Sequence, residues 1–283
     1  MIPKKIHQIW FQGESELPQK YKNYRNSWVD KNDEYTFMLW DSQSIHDLIH
    51  KSGICWVTEL YNGYTTMIQK IDFAKYLILY VYGGIYIDMD IECYKSLNTL
   101  HILDKHNLVL SKMPHDYLLN FLLVLQSPQL RLSDIVINNG IIFCSQGNQF
   151  MYNVMKECYK NRNFKSYNNT LEIFYTTGPM CLTNVYLQNK DSVFILDNKY
   201  FENCNINEID NCELHPDSIG LHIYENSWIT KNEKNLARLY KMINKIKILL
   251  LFLFVYLVFK FKKLRNYVSV LFIILVLTIM YNY

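Results

Sequence analysis

The sequence predicts an α/β fold with a mostly parallel central sheet. Short apolar strands alternate with longer helical segments over the first 161 residues, which is typical of a sheet covered by helices on both faces. Of the 283 residues, 50% are apolar, which is enough for a large core. Ligands of such folds bind beyond the carboxyl ends of the strands, so polar residues at strand ends are the first site candidates.

Hydrophobic periodicity places the individual elements. Strands are predicted at residues 4–10, 35–40, 85–91 and 107–112. Helices are predicted at residues 17–31, 43–52, 66–82 and 148–161. The third helix has the clearest apolar repeat, with spacings of three and four at Met67, Ile71, Ala74, Ile78 and Val81. Asn138, Asn139 and Gly140 indicate a turn that feeds a buried strand ending at residue 145.

The most informative stretch is Gly-Gly-Ile-Tyr-Ile-Asp-Met-Asp at residues 83–90. Gly83 and Gly84 end the preceding helix, and the strand that follows carries Asp88 and Asp90 at its far end. In an extended strand, residues two apart point to the same side, so we expect the two carboxylates to converge. Converging carboxylates repel each other unless a cation lies between them, and a divalent metal prefers oxygen ligands. The stretch therefore predicts a metal site that holds a diphosphate.

An isolated Asp-x-Asp is also common at turns and solvated strand ends, but its surroundings favour the metal interpretation. Asp72 and Lys75 lie three apart on the preceding helix, where their side chains can meet. Tyr86 shares the side of the strand that carries Asp88. A charged pair and a carboxylate pair on either side of a glycine turn are unusual for a solvated loop and favour a functional site.

Five segments form an ordered set along residues 1–230. They are Ile-Pro-Lys-Lys-Ile-His-Gln-Ile-Trp at 2–10, the stretches 27–28 and 35–40, the core at 72–90, Thr-Gly-Pro at 177–179, and His222 with Ser-Trp at 227–228. In this order they resemble the sugar transferases that carry a DXD sugar-binding region. That family includes initiating mannosyltransferases, inositol-phosphoceramide mannosyltransferases and capsular-polysaccharide enzymes, and it is distantly similar to the glucosyltransferase domains of clostridial toxins.

The resemblance implies a GT-A-like fold and a retaining glycosyltransferase that moves a hexose, with mannose favoured, from a nucleotide sugar. It implies that Asp88, Asp90 and His222 hold the metal, and two carboxylates with an imidazole favour Mn²⁺, with Mg²⁺ second. The remaining members of the implied catalytic and donor-binding site are Asp72, Lys75, Trp10, Gly83, Gly84, Tyr86, Gly178, Pro179, Ser227 and Trp228.

The same resemblance assigns roles to these residues. Trp10 would stack on the nucleotide base, Asp72 would contact sugar or ribose hydroxyls, and Lys75 would contact phosphates or the sugar. Ser227 and Trp228 would close over the diphosphate and exclude water. Second interpretations stay open, since the glycine and proline residues can simply form turns, and Trp10 and His222 can be structural.

Lys75 is a departure from the family, which usually has Arg at this position. Lys keeps the charge but lacks the planar fork that binds two oxygens at once. Two other functions stay open: a non-catalytic sugar-nucleotide-binding or scaffold protein of the same fold, and a phosphohydrolase with an Asp nucleophile. Ile91 and Glu92 follow the second Asp, where such a phosphohydrolase expects Gly-Thr or Gly-Val.

The chain changes character near its C-terminus. Residues 246–259 are apolar apart from Lys247, residues 267–281 are largely apolar, and a basic cluster from Lys260 to Arg265 separates them. Neither segment has a polar face, so we expect a membrane hairpin or a single tail anchor. The predicted organisation is a catalytic domain at residues 1–235, a basic linker at 236–245 and membrane segments at 246–283.

Charge and cysteine content restrict the partners and the compartment. A net charge of +3 is too small to indicate a nucleic-acid partner. No C-x-x-C pair is present, and Cys204 and Cys212 either close a loop in an oxidising compartment or stay reduced. By resemblance we expect an endomembrane of the Golgi or ER type, GDP-mannose as donor rather than a UDP-sugar, and a lipid-linked or glycan acceptor.

Overall fold

A computed structural model describes residues 1–114, 123, 130–131, 134–166, 169–204 and 212–225. Its strands are β1 (Lys5–Ile9), β2 (Thr36–Trp40), β3 (Gly84–Ile87), β4 (Ile91–Cys93), β5 (Leu108–Lys112), β6 (Ile137–Cys144), β7 (Phe194–Leu196) and β8 (Gly220–His222). Its helices of two turns or more are α1 (Gln19–Lys31), α2 (Ser42–Lys51), α3 (Cys55–Gly63), α4 (Met67–Tyr82), α5 (Gln149–Lys160), α6 (Asn169–Thr176) and α7 (Pro179–Gln188).

Six strands form the central sheet in the order β2-β1-β3-β6-β5-β7. β1 is parallel to β2 and β3, and β5 is parallel to β7, whereas β6 is antiparallel to both of its neighbours. The prediction of a mostly parallel sheet is therefore confirmed. β4 and β8 form a separate antiparallel ribbon.

Helix α4 is the central helix of the fold, and its sequence defines both of its ends. Thr66 and Gln69 form a reciprocal capping box at the start. Gly83 ends the helix with φ 61°, and a Cβ there would lie 2.5 Å from the backbone nitrogen of Gln146. Asp72 and Lys75 are buried among the apolar residues of this helix. The helix thereby places two charged groups in the protein interior.

The strand predicted at residues 85–91 is interrupted in the structure. β3 ends at Ile87, and the backbone nitrogen of Ile91 donates a 3.2 Å hydrogen bond to the carbonyl of Asp88. This turn directs β4 away from the sheet to pair with β8. Asp88 and Asp90 therefore do not lie on one extended strand, and a turn rather than strand alternation brings their side chains together.

The turn predicted at Asn138, Asn139 and Gly140 is also wrong, because all three residues lie within β6. Asn138 pairs with Ser111 of β5, next to a register shift in that strand. The Oδ1 atom of Asn138 accepts a hydrogen bond from the Gly140 nitrogen at 2.7 Å. This contact between an Asn side chain and the backbone two residues later is typical of a turn, which is why the sequence predicted one. Here the same contact occurs inside a strand.

Within the residues that the structure describes, no helix is both long and apolar enough to cross a bilayer. The predicted membrane segments at 246–283, and the domain boundaries at 235 and 245, lie outside the described residues. Cys204 and Cys212 form a disulfide with a Cα–Cα distance of 5.7 Å. The pairing that the sequence left open is thus present in the structure.

Candidate active site

Asp88, Asp90 and His222 converge beyond the carboxyl end of β3. One ligand atom from each residue lies within 4.8 Å of the ligand atoms of the other two. His222 is the last residue of β8 and pairs with Ile91, the first residue of β4. Its Nε2 atom lies 3.5 Å from Oδ1 of Asp90. The pairing of the small ribbon therefore brings an imidazole to the two carboxylates.

The charges of this triad suit a divalent cation. Burial raises the pKa of Asp90, but the nearby His222 and hydrogen bonds lower it below its usual value. Burial lowers the pKa of His222, but the carboxylates of Glu202 and Asp90 raise it well above 6.5. Without a metal the imidazole is therefore the cation of the triad, and a metal ion would take the place of its proton.

Gly140 of β6 keeps the space between the triad side chains open. A Cβ atom at this position would lie 2.9 Å from Oδ2 of Asp88 and 3.0 Å from Cε1 of His222. Two carboxylates and one imidazole are a donor set for Mn²⁺, with Mg²⁺ second. The residues present therefore fit the divalent metal expected from the sequence.

Lys75 is buried and contacts the triad through Asp88. Its Nζ atom is 3.0 Å from Oδ1 of Asp72, 3.3 Å from Oδ1 of Asp88 and 4.6 Å from the ring centroid of Tyr86. Burial lowers the pKa of Lys75, but the charges of Asp88 and Asp72 raise it above its usual value. The predicted meeting of Asp72 and Lys75 is confirmed, and the network reaches Asp88.

Asp72 is held by neutral donors as well as by Lys75. Its oxygens accept hydrogen bonds from Nδ2 of Asn139 at 3.0 Å and from Oγ1 of Thr177 at 3.3 Å. Burial raises its pKa to about 6 against the opposing effect of Lys75. Asp72 and Lys75 have only 3% and 2% of their surface exposed, so in this structure they contact Asp88 and the polar core rather than solvent.

Tyr86 orients the first carboxylate of the triad. Its buried hydroxyl donates a 2.7 Å hydrogen bond to Oδ1 of Asp88, the same oxygen that Lys75 approaches. One oxygen of Asp88 is thus fixed from inside the protein. The other oxygen, Oδ2, is the one that lies closest to Gly140.

Trp10 lies at the carboxyl end of β1, where it was expected, and is partly exposed. Its Nε1 atom donates to the carbonyl of Glu16 at 3.2 Å, and its ring lies 5.0 Å from that of Tyr21 on α1. Burial raises the pKa of Tyr21, and the charges of Glu225 and Asp90 add to this effect. Tyr21 therefore lies close to both Trp10 and the carboxylates, a placement that the sequence did not indicate.

Gly83 and Gly84 lie at the start of β3, at the opposite end of the strand from Asp88. Their φ angles are 61° and 106°, and a Cβ on Gly84 would lie 2.6 Å from the carbonyl oxygen of Lys5. This position agrees with the turn-forming interpretation kept for them. Among the contacts described, neither glycine touches the triad, so the expectation that they bind the donor stays a prediction.

Gly178 and Pro179 start helix α7, with Gly178 as N-cap and proline in the first turn. The side chain that reaches the polar network belongs to the preceding Thr177. Ser227 and Trp228 lie outside the described residues, and the segment leading to them reaches the site through the Glu225 nitrogen, which donates to Oδ2 of Asp90 at 2.9 Å.

Glu202 was not indicated by the sequence. Its side chain is fully buried, and its Oε1 lies 3.1 Å from Nδ1 of His222. Asn138 and Tyr224 also donate hydrogen bonds to its two oxygens. A single Glu in the stretch Phe-Glu-Asn-Cys carries no recognisable spacing, so only the folded chain shows this contact.

The chain is similar in sequence to known glycosyltransferases. Residues 18–107 match the model of the glycosyltransferase sugar-binding region containing a DXD motif. An uncharacterized glycosyltransferase of Acanthamoeba polyphaga mimivirus is 29% identical over 220 residues, which cover 75% of this chain and 77% of that protein. Inositol phosphoceramide mannosyltransferase 3 of Schizosaccharomyces pombe is 28% identical over 185 residues, or 65% of this chain. The match spans 45% of the length of the yeast protein.

Among solved structures, apo mouse xyloside xylosyltransferase 1 is similar with a TM-score of 0.50. The sequences are 11% identical, and the superposition covers 80% of this chain and 99% of the mouse chain. At this identity the likeness concerns the fold alone, and it agrees with the GT-A-like fold expected from the sequence.

Proposed function

We propose that the chain is a membrane-bound, metal-dependent, retaining hexosyltransferase, because residues 18–107 match the model of the glycosyltransferase sugar-binding region containing a DXD motif and its relatives include glycosyltransferases. The proposal rests chiefly on the convergence of Asp88, Asp90 and His222 within 4.8 Å beyond β3. Mannose is the favoured sugar, a nucleotide sugar the donor, and a lipid-linked or glycan molecule the acceptor.

The triad would hold Mn²⁺, or Mg²⁺ second. The bound cation would supply Lewis-acid stabilisation of the diphosphate that leaves the anomeric carbon. Asp88 can present Oδ2 outward because Tyr86 and Lys75 both engage Oδ1. Asp90 is fixed by the Glu225 nitrogen, so neither carboxylate must reorganise when the donor binds.

Lys75 would partly neutralise the negative charge of Asp72 and Asp88. One ammonium between Asp72 and Asp88 lowers the electrostatic cost of bringing carboxylates toward a diphosphate. Direct contact of Asp72 and Lys75 with the sugar or phosphates remains part of the proposal. Asn139 and Thr177 hold the buried oxygens of Asp72, which in turn positions Lys75 beside Asp88.

Trp10 would hold the nucleotide base by stacking, with Tyr21 beside it. The partly exposed Trp10 lies at the end of β1, next to β3, so base and diphosphate would bind along one sheet edge. Aromatic stacking tolerates any base, so it favours neither GDP nor UDP. We propose GDP-mannose because the Schizosaccharomyces pombe relative is named a mannosyltransferase.

The acceptor proposal combines two observations. The name of the same relative points to inositol phosphoceramide, a membrane lipid. The largely apolar residues 246–259 and 267–281 would hold the catalytic domain beside the bilayer, as a hairpin or a tail anchor. We therefore propose a lipid acceptor of this kind and a location in Golgi- or ER-type endomembranes.

The deciding experiment offers the purified full-length protein a panel of nucleotide sugars with and without Mn²⁺. We expect Mn²⁺-dependent hydrolysis of GDP-mannose above that of UDP-sugars, and labelled lipid once a lipid extract is added. Binding of a sugar nucleotide without hydrolysis or transfer under all conditions would instead support the non-catalytic alternative.

A second arm removes the apolar C-terminus. Deletion after Asn244 should release the protein from membranes and leave donor hydrolysis metal-dependent. Complete extraction of the intact protein by carbonate would contradict membrane insertion. Equal transfer to soluble glycans by the truncated form would contradict the lipid acceptor.

A further inference from the structure

Glu202 is a buried carboxylate that contacts His222, one of the three residues of the proposed metal centre. Its side chain has no exposed surface. Nδ2 of Asn138 donates to Oε1, the Tyr224 hydroxyl donates to Oε2, and Nδ1 of His222 lies 3.1 Å from Oε1. A buried carboxylate is costly unless such donors satisfy it, so the surrounding fold is built to keep it in place.

The two nitrogens of His222 face two different groups. Nδ1 points to Glu202, and Nε2 points to Asp90 at 3.5 Å. A ring nitrogen next to a carboxylate oxygen must carry a hydrogen to form a hydrogen bond. Without a metal both ring nitrogens carry a hydrogen. A metal ion would displace the hydrogen on Nε2, and Glu202 would keep the other hydrogen on Nδ1, so that the lone pair of the neutral ring lies on Nε2. The contact with Glu202 therefore selects the tautomer that can bind a metal.

The geometry also restricts how the ring can turn. The His222 ring stacks on Tyr224 with centroids 4.0 Å apart and an angle of 16° between the planes. Tyr224 is itself attached to Glu202 through its hydroxyl. Stacking alone permits the ring to rotate in its own plane or to flip, and the contact of Nδ1 with Glu202 is what distinguishes the two nitrogens.

We propose that Glu202 is the positioning residue of the metal centre: it orients His222 so that Nε2 completes the site made by Asp88 and Asp90. This inference rests on the proposed metal-dependent function. Carboxylates that hold a ligating imidazole from behind commonly contribute 10- to 100-fold in metal affinity. Among the described residues, the ligand atoms that converge within 4.8 Å belong to Asp88, Asp90 and His222, and Glu202 contacts only the imidazole of this group.

The test measures Mn²⁺ affinity of the full-length protein without any substrate, from the electron paramagnetic resonance signal of free Mn²⁺. Glu202→Gln should weaken binding about 10- to 100-fold. Glu157→Gln is the matched control, since it makes the same change in a carboxylate on α5 that contacts Asn161 and Asn184 rather than the triad, and its affinity should stay within about threefold. Circular dichroism verifies that each variant is folded.

A double-mutant cycle separates positioning from a general structural role. In a His222→Ala background, Glu202→Gln should have no further effect on Mn²⁺ affinity, because Glu202 acts through the imidazole. An equal loss in both backgrounds would overturn the inference. Glu202→Asp keeps the charge on a shorter side chain and should lose less affinity than Glu202→Gln, which gives a second test if the amide variant does not fold.

The same titration distinguishes this inference from the function on which it rests. Normal Mn²⁺ affinity in Glu202→Gln, with strong binding by the unaltered protein, would overturn the role of Glu202 and leave the metal centre intact. An unaltered protein that binds no Mn²⁺ would overturn the metal centre, and the positioning role with it.

Discussion

The Nζ atom of Lys75 lies 3.3 Å from Oδ1 of Asp88, and this contact joins the buried face of α4 to the turn that carries the acidic pair. The ammonium also approaches Asp72, so one positive charge serves two carboxylates in the interior. Because the ammonium is buried beside one buried and one partly exposed carboxylate, its removal should affect both stability and donor binding.

Two substitutions of Lys75 should distinguish the effect of its positive charge from the effect of its ammonium geometry. Lys75→Met leaves Asp72 and Asp88 without their shared cation, so we expect the free energy of unfolding to fall by about 3 kcal/mol. Lys75→Arg should keep or tighten donor affinity, because a guanidinium can engage two oxygens at once. Denaturant unfolding and donor titration are the measurements. A large loss of donor affinity with Arg would show that Lys75 works in a geometry different from that of the family.

Removal of one triad charge should abolish turnover and preserve the fold. Asp88→Asn and Asp90→Asn each take one anionic ligand from a partly exposed site, and we expect at least tenfold lower activity, or about 1.4 kcal/mol in barrier. Glu92→Gln is the control, because Glu92 lies on the adjacent β4 and its carboxylate binds only the Tyr94 hydroxyl among the contacts described. Retention of more than a tenth of the activity in both Asp variants would refute the metal-site assignment.

Gly140→Ala should damage the metal centre without a change of charge. The added methyl would meet Asp88 Oδ2 at 2.9 Å and His222 Cε1 at 3.0 Å, so one of the two must move. We expect Mn²⁺ affinity to fall at least tenfold, measured by titration. Gly63→Ala is the matched control, since nothing lies within 4 Å of a Cβ at Gly63. Equal affinities for the two variants would mean that the triad does not hold the metal.

His7 should make the fold sensitive to acid. Its Nε2 atom contacts the Gly83 carbonyl at 2.8 Å, and its Nδ1 accepts a hydrogen bond from Trp40, so the ring must be neutral. Burial lowers the pKa of His7 from 6.5 to about 4. The unfolded chain therefore binds this proton more readily, and the stability present above pH 6.5 is lost as the pH falls through 4. The full effect is about 3 kcal/mol.

The measurement is the free energy of unfolding between pH 7 and pH 4.5. His7→Gln should show a smaller decrease than the unaltered protein over this range. The exposed His46 offers the control, since His46→Gln should leave the decrease unchanged. Identical pH profiles for the unaltered protein and His7→Gln would show that His7 is not the responsible group.

The sequence predicted the elements with strong periodicity and the motifs next to them. α4, the adjoining β3 and the acidic pair follow from an apolar repeat and a glycine turn, both of which are local signals. Helices α3, α6 and α7 were missed, as were the strands Phe194–Leu196 and Gly220–His222. Strands of three residues are too short for alternation to be recognised, and their existence depends on distant partners.

The sequence predicted the three side chains that converge at the site, but not the residues that support them. Asp88, Asp90 and His222 were named from the sequence, and the structure brings them together. The reason given for convergence, strand alternation, was wrong because the backbone turns at Asp88. Glu202 and Asn139 were missed, since only tertiary packing places them next to His222 and Asp72.

The pairing of β4 with β8 has a consequence for the order of synthesis. The backbone nitrogen of Glu225 that fixes Asp90 is 135 positions away in the chain. At about 5–20 residues per second, the ribosome exposes the acidic turn on the order of ten seconds before the strand that supplies the imidazole. A nascent chain would thus carry the acidic turn without its imidazole for nearly half of its translation, and a metal held by all three residues would bind only after β8 has formed.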